Sequence, residues 1–346
     1  MPEGHTVHRL ARAFDALFAG ERLAVTSPQR RFAAGAALLD GARLVAAEAW
    51  GKQLFLGFAP DGGADGAARA GAERWLRVHL GLYGAWTFAG DGTAAVVHAI
   101  GAPRRRIGER ETVPAGPTPA AADGAAQWAP PAPRGAVRVR LRGAHAVADL
   151  TGPTACEVVT PEQKAAVEAR LGPDPIRPDG GRASLEAARD DFVARVRRSR
   201  VVVGQQLMDQ AVVAGVGNIY RAEALYRARL DPMRPGRDVD AETLRGIWDD
   251  LVVLMRDGAD HGAIVTTRPE HRDAAGAAAA GAPADAAGAP RRRTRQNTDG
   301  TPGAVPAEDA FYVYHRDGLP CRVCGTPVLV KELAGRNLFW CAACQV

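Results

Sequence analysis

The sequence predicts an α+β chain of several domains: turn-spaced strands up to about residue 150, helices from about 181, and a cysteine module at the end. Three observations carry this. Apolar and polar residues alternate with period two in the first half. Apolar residues at helical spacing dominate after a Pro/Gly-rich junction. The final segment holds two Cys-x2-Cys pairs. At 346 residues the chain has room for two or three domains with separate cores.

The chain opens MPEGHTVHRLARAFDALF. Val7, Leu10, Ala11, Phe14, Leu17 and Phe18 follow i, i+3, i+4, i+7 spacing, which makes one apolar helical stripe starting close to the first amino group. ARLVAAEAW and KQLFLGF are apolar and turn-bounded, as strands are. In WLRVHLGLYGAWTF the apolar side is Leu76, Val78 and Leu80, with Arg77 and His79 opposite. AVRVRLRGAHAVADL alternates Val137, Val139 and Leu141 against Arg138, Arg140 and Arg142. Such spacing predicts an antiparallel sandwich or barrel over residues 1–150. Two Ala/Gly/Pro-rich stretches, roughly 60–73 and 112–134, read as loops within it.

LGPDPIRPDG at 171–180 has the composition of an interdomain linker, which we assign to 151–180. Over 181–272 the texture is helical: SLEAARDDFVARVRRSR, QQLMDQAVVAG, GNIYRAEALYRARL and DAETLRGIWDDLVVLMRDG. Residues 273–306, Ala/Gly/Pro-rich around Arg291, Arg292, Arg293 and Arg295, carry too little apolar surface to fold and read as a disordered insertion. Residues 307–346 form the cysteine module.

A net charge of +5 points to an anionic partner, nucleic acid first. The 47% apolar share overstates core material, because much of it is alanine in low-complexity stretches. No run of about 18 consecutive apolar residues appears. His5, His8, Arg9 and Arg12 interrupt any signal-peptide pattern. A soluble, cytoplasmic monomer with no membrane partner is therefore expected. Cys321, Cys324, Cys341 and Cys344 form CRVC…CAAC with sixteen residues between the pairs, the spacing of a structural zinc site closed by four thiolates. Two disulfides are the alternative, disfavoured in a reducing cytosol. Cys156 stands alone and reads as a small buried or half-buried residue.

Two places invite chemistry. If Met1 is removed, the first amino group is a secondary amine on Pro2, next to the Glu3 carboxyl. An α-amino group has a pKa of about 7.7–8.0, so much of it is neutral near physiological pH. A helix start disfavours its ammonium further. A secondary amine adding to a sugar aldehyde carbon yields an iminium ion directly, an electron sink for elimination. Glu3 can then protonate the departing ring oxygen, provided that desolvation raises its pKa against the pull of the helix end. The plain alternative is a well-capped helix behind a proline that promotes methionine removal. The second place is AGVGNIY, where Gly215 and Gly217 leave backbone N–H groups bare at a helix start beside the Asn218 amide. That combination suits a phosphate, although Gly-x-Gly is usually only a turn.

The initial PEG with its helix, Gly51–Lys52 opening a strand, LGPDP, AGVGNIYRAEAL and the terminal CRVCG…GR…FWCAACQ occur in order along the whole chain. Together they resemble the formamidopyrimidine-DNA glycosylase/endonuclease VIII family of base-excision enzymes. The resemblance implies a two-layer β-sandwich, a helix–two-turn–helix domain and a zinc-finger β-hairpin holding one structural Zn2+. It implies Pro2 as nucleophile and Glu3 as acid. Lys52 is implied to hold the sugar-phosphate, Asn218 to grip a phosphate at the lesion, and Arg336 to present its guanidinium at the hairpin tip, where a fork suits phosphate.

Leu82 and Tyr83 in HLGLYGAW align with the leucine–tyrosine wedge of endonuclease VIII, which fills the gap left by an extruded base. Gly81 departs from the glutamine found there, and Leu82 also reads as an extension of the core stripe. Arg105 and Arg106 in PRRRIG resemble the arginine loop of the formamidopyrimidine branch, but Ile107 replaces its aromatic residue. The implied activity is glycosylase plus abasic-site lyase on damaged duplex DNA, with single-stranded or bubble DNA left open. Oxidised pyrimidines are favoured, and oxidised purines are the alternative. A silent DNA-binding relative would have lost Pro2, Glu3 or Lys52, and all three are present.

Overall fold

The computed structural model describes residues 2–60, 71–93, 99–101, 128–272, 305 and 307–346. Arg105, Arg106 and all of the 273–306 insertion except residue 305 lie outside the described residues. The chain divides into two compact units. The first gathers Met1–Pro2, Ala11–Glu48 and Phe55–Pro161; the second gathers Glu3–Leu10, Ala49–Leu54 and Glu162–Val346.

The first unit is a β-sandwich, as the alternation predicts. Helix α1 (Gly4–Phe18) runs into it, and β1 (Ala24–Thr26) and α2 (Ala33–Leu39) follow. The remaining strands are β2 (Arg43–Trp50), β3 (Gln53–Ala59), β4 (Arg74–His79), β5 (Ala85–Gly90), β6 (Ala99–Gly101), β7 (Val137–Arg142), β8 (Ala146–Thr151) and β9 (Ala155–Val159). One sheet has the order β1-β7-β8-β5-β6 and the other β2-β3-β4-β9. Val137, Val139 and Leu141 are fully buried while Arg138 and Arg140 of the same strand are half-exposed, so β7 keeps its predicted period. Phe14 of α1 meets Trp86 edge-on with ring centroids 4.7 Å apart. Both rings are fully buried, which stabilises the sandwich by about 1.5–3 kcal/mol for Phe14 alone.

Two expectations change. The 151–180 segment is not a plain linker: β9 pairs antiparallel with β4, Val78 opposite Cys156, and a helix, α3 (Pro161–Glu168), follows. ACEVV hides its strand character because only Val159 is buried, so no alternation shows in the sequence. In WLRVHLGLYGAWTF the core stripe does not run on through Leu82. β4 and β5 belong to different sheets, and Leu80–Gly84 connects them.

The second unit is helical, with α4 (Leu185–Arg197), α5 (Val203–Gln206), α6 (Asn218–Arg227) and α7 (Ala241–His261). Ser184 and Asp240 cap α4 and α7 by accepting from Ala187 N and Thr243 N. Trp248, Phe192, Leu225, Tyr220 and Met255 lie in its core. QQLMDQAVVAG is helical only to Gln206. Beyond it side chains capture the backbone: Gln210 accepts from Gly215 N at 2.9 Å and donates to Val216 O at 3.0 Å, and Asp209 accepts from Ala211 N at 2.8 Å. Polar side chains that compete for backbone groups end helices.

The module at the end is a hairpin of β10 (Leu329–Leu333) and β11 (Arg336–Trp340), with Leu333 opposite Arg336. Its two turn residues, Ala334 and Gly335, have φ of 50° and 73°, the positive pair that a tight type I′ hairpin requires. Among the described residues, no helix is long and apolar enough to cross a membrane.

Candidate functional site

The Glu3 side chain is fully buried at the start of α6. Its carboxylate accepts from Ile219 N at 2.8 Å, Gly217 N at 2.9 Å and Tyr220 N at 3.4 Å. The bare N–H groups that the sequence assigns to a phosphate are therefore occupied by a carboxylate of the same chain. That is a correction with a simple cause: a helix N-terminus favours any anion, and the fold delivers an internal one. Gly217 is required here, since a Cβ on it would fall 2.5 Å from Glu3 Cδ. Gly4 N donates to Gly215 O at 2.8 Å, and a Cβ on Gly4 would lie 2.8 Å from Gly215 Cα. Only glycine lets the two backbones close in this way.

Burial pushes the Glu3 carboxyl above its ordinary pKa, and the nearby Lys52 ammonium and the three N–H groups only partly pull it back. This is the direction an acid needs. Burial lowers the Lys52 pKa; Glu3 opposes that shift and Arg336 adds to it. Glu3, Lys52 and Arg336 thus share one electrostatic neighbourhood. Pro2, buried, precedes Glu3 directly in the chain.

Asn218 and Arg221 tie α6 to the hairpin. Asn218 Nδ2 donates to Asn337 O at 2.9 Å, Arg221 Nη2 donates to the same oxygen at 3.1 Å and also to Asn218 Oδ1. Arg336, exposed at the head of β11, is thereby held through its neighbour's carbonyl. Arg221 is fully buried, and desolvation lowers its pKa to about 10. Glu223, also fully buried, accepts from Tyr312 N, Val313 N and Tyr314 N, each at 2.8 Å, and from the Thr266 hydroxyl. Sequence reasoning misses Arg221 and Glu223. Their only signal is charge inside an otherwise apolar helical run.

The four module cysteines converge, with all Sγ atoms within 4.8 Å of one another. Cys321 and Cys344 are 3.9 Å apart, and Cys324 and Cys341 are 3.5 Å apart. Four sulfurs about 2.3 Å from a common zinc lie about 3.8 Å from each other, whereas a disulfide needs about 2.05 Å. The cluster suits one zinc ion with every position filled by sulfur. The Tyr226 hydroxyl lies 3.0 Å from Cys321 Sγ, placed to donate to a thiolate.

In the first unit, Leu82 and Tyr83 are 38% and 66% exposed, so the core stripe ends at buried Leu80. Gly81, at φ +66°, sits so close to Thr154 that an added Cβ would fall 1.8 Å from its hydroxyl oxygen, so a glutamine there would strain the backbone and displace the Thr154 side chain. Cys156 is half-buried, and burial pushes its thiol to about 12, far from a nucleophile's range.

Three family models match. Residues 1–147 match the formamidopyrimidine-DNA glycosylase N-terminal domain, 171–269 its H2TH domain, and 318–346 the zinc finger found in FPG and IleRS. The chain is 40% identical to Endonuclease 8 1 of Mycobacterium tuberculosis over 345 residues, 100% of both chains. It is 32% identical to the formamidopyrimidine-DNA glycosylase of Thermus thermophilus over 176 residues, 51% of this chain and 54% of the relative. A Lactococcus lactis Fpg structure in complex with abasic-site DNA shares the fold, with a TM-score of 0.63 at 15% identity and 99% of each chain covered.

Proposed function

The chain belongs to the formamidopyrimidine-DNA glycosylase/endonuclease VIII family of DNA glycosylases, on its endonuclease VIII side, and from that premise we propose that it is a bifunctional glycosylase and abasic-site lyase acting on oxidised pyrimidines. The observation that carries the reading is the Glu3 carboxyl, buried on the start of α6 with its pKa raised, immediately after Pro2.

With Met1 removed, the Pro2 nitrogen attacks C1′ of the damaged nucleotide. Glu3 gives its proton to the ring oxygen as the C1′–O bond breaks, and the base departs with the proton that the Pro2 nitrogen sheds, leaving an iminium ion and an ionised Glu3. That ion withdraws electrons from C2′, so β-elimination breaks the bond to the 3′ phosphate, and δ-elimination then breaks the bond to the 5′ phosphate. Lys52, Asn218 and Arg336 hold phosphates, and Leu82 and Tyr83 enter the space of the extruded base. Arg105 and Arg106 are the corresponding expectation on residues outside those described. Zinc supplies no chemistry, because four thiolates leave no position for water; its ligands fix the hairpin that carries Arg336.

The preference for pyrimidines is supported by Leu82 and Tyr83 and by the full-length similarity to Endonuclease 8 1. Borohydride trapping on duplexes carrying thymine glycol, dihydrouracil, 8-oxoguanine or a plain abasic site tests it. Faster trapping on the two pyrimidine lesions is expected; faster trapping on 8-oxoguanine reverses the assignment.

Asn218→Ala is expected to weaken binding of all duplex sequences alike by about tenfold, because a phosphate contact carries no base information. Titration of several unrelated duplexes checks this, and an effect confined to one lesion argues against it. Chelating the zinc is expected to release one ion per chain and cost about tenfold or more in affinity for abasic DNA, recovered on adding zinc back. Metal analysis beside the same titration reads both.

A further inference from the structure

LGPDP looks like a linker in the sequence, yet its aspartate is fully buried. Asp174 Oδ2 accepts from Gly51 N at 2.7 Å and lies 2.7 Å from His8 Nε2, while Oδ1 accepts from Ile176 N at 2.9 Å. One carboxylate thus joins α1, the β2–β3 turn and the 171–180 segment. Gly51 is held from a second side. At φ +57° it packs so closely on Gly215 that a Cβ would lie 2.8 Å from Gly215 N. Lys52 is the next residue. Its backbone starting point is therefore set by the Asp174–Gly51 hydrogen bond.

A buried carboxylate without a donor or counter-charge would be costly. Burial alone raises the Asp174 pKa, but His8 and the Gly51 and Ile176 N–H groups outweigh it and hold the group below its ordinary value. His8 is thus the side chain that lets an ionised Asp174 sit behind Lys52.

We propose that His8 and Asp174 are positioning residues for Lys52: the imidazole orients the carboxylate, and the carboxylate fixes the Gly51–Lys52 turn. Neither touches the substrate. The role rests on the function proposed above, in which Lys52 grips the sugar-phosphate.

The test measures single-turnover borohydride trapping on abasic-site duplex for the full-length protein, with thermal melts alongside. His8→Phe is expected to cut the rate about tenfold to a hundredfold, the range a displacement of order 1 Å produces. His8→Gln, which can still donate to Asp174, is expected to restore it to within about threefold. In a Lys52→Ala background His8→Phe should add nothing, because the two changes remove one contact. If His8→Phe melts early, Asp174→Asn, similar in shape but uncharged, takes its place in the same cycle. A full rate in His8→Phe, no rescue by His8→Gln, or an equal loss with and without Lys52 overturns the inference. Wild-type protein that fails to trap sinks the proposed function and this inference with it; normal wild-type trapping with unaffected variants sinks only the inference.

Discussion

Pro2→Gly is expected to abolish the covalent complex that borohydride traps on abasic-site DNA, the outcome required of a nitrogen that itself forms the bond to the sugar. Glycine still offers an α-amine, so the comparison isolates what the proline ring contributes. Both amines give an iminium ion as water leaves, but that of a secondary amine has no N–H proton to lose, whereas that of a primary amine can drop its proton and become a neutral imine, a poorer electron sink. The ring also restricts φ just ahead of the pinned Gly4 backbone. The variant should still bind a non-reactive abasic analogue, because the phosphate contacts lie on other residues. Undiminished trapping contradicts the assignment. Intact mass of the wild-type protein belongs to the same experiment, since a retained Met1 locks the Pro2 nitrogen into a peptide bond and leaves it unable to attack.

Glu3→Gln is the second large effect. Loss of a positioned acid costs about 10²–10⁴ in rate, and the loss should fall mainly on base excision. An abasic sugar is a hemiacetal that already equilibrates with its open aldehyde in water without the enzyme's acid, so nicking of preformed abasic sites should fall far less. In the mechanism proposed above, two groups set the pH profile. Attack needs neutral Pro2, so the rate falls as pH drops below an amine pKa of about 8 or lower. Ring opening needs protonated Glu3, so excision falls as pH rises through its raised pKa. That limb should vanish in Glu3→Gln, and a variant that keeps both the limb and the rate removes Glu3 from the mechanism. Stability has the matching sign. A raised pKa in the folded state gives stability present below the unfolded value near 4.5 and lost as pH rises through the folded value. Wild type should therefore lose stability relative to Glu3→Gln across that window, which denaturant melts at several pH values would read.

Glu3 and Asp174 illustrate how differently two carboxylates read in a sequence. Glu3 sits two residues from the start and invites attention, though its partners are more than two hundred residues away. Asp174 lies between prolines, where turn chemistry is the natural reading, and nothing local reveals a burial decided by α1 and the β2–β3 turn. The Gly217 N–H reads as an anion site, and so it is, but which anion fills it depends on where the first helix packs.

The sequence by itself determined an antiparallel strand-rich first half, the helical unit and the zinc module, because period-two and helical apolar spacing and Cys-x2-Cys pairs are local signals that burial and metal chemistry enforce; the choice of sandwich over barrel came from the family resemblance. It also determined Pro2, Glu3, Lys52, Asn218 and Arg336 as candidates, through motifs strung in order along the chain. Only the tertiary structure decided that Glu3 occupies the α6 start, that β9 completes a sheet and that Arg221, Glu223 and Asp174 are buried charges held by hydrogen bonds from distant segments. Those outcomes are set by contacts between distant segments, and a desolvated carboxylate is defined by its surroundings rather than by its neighbours in the chain.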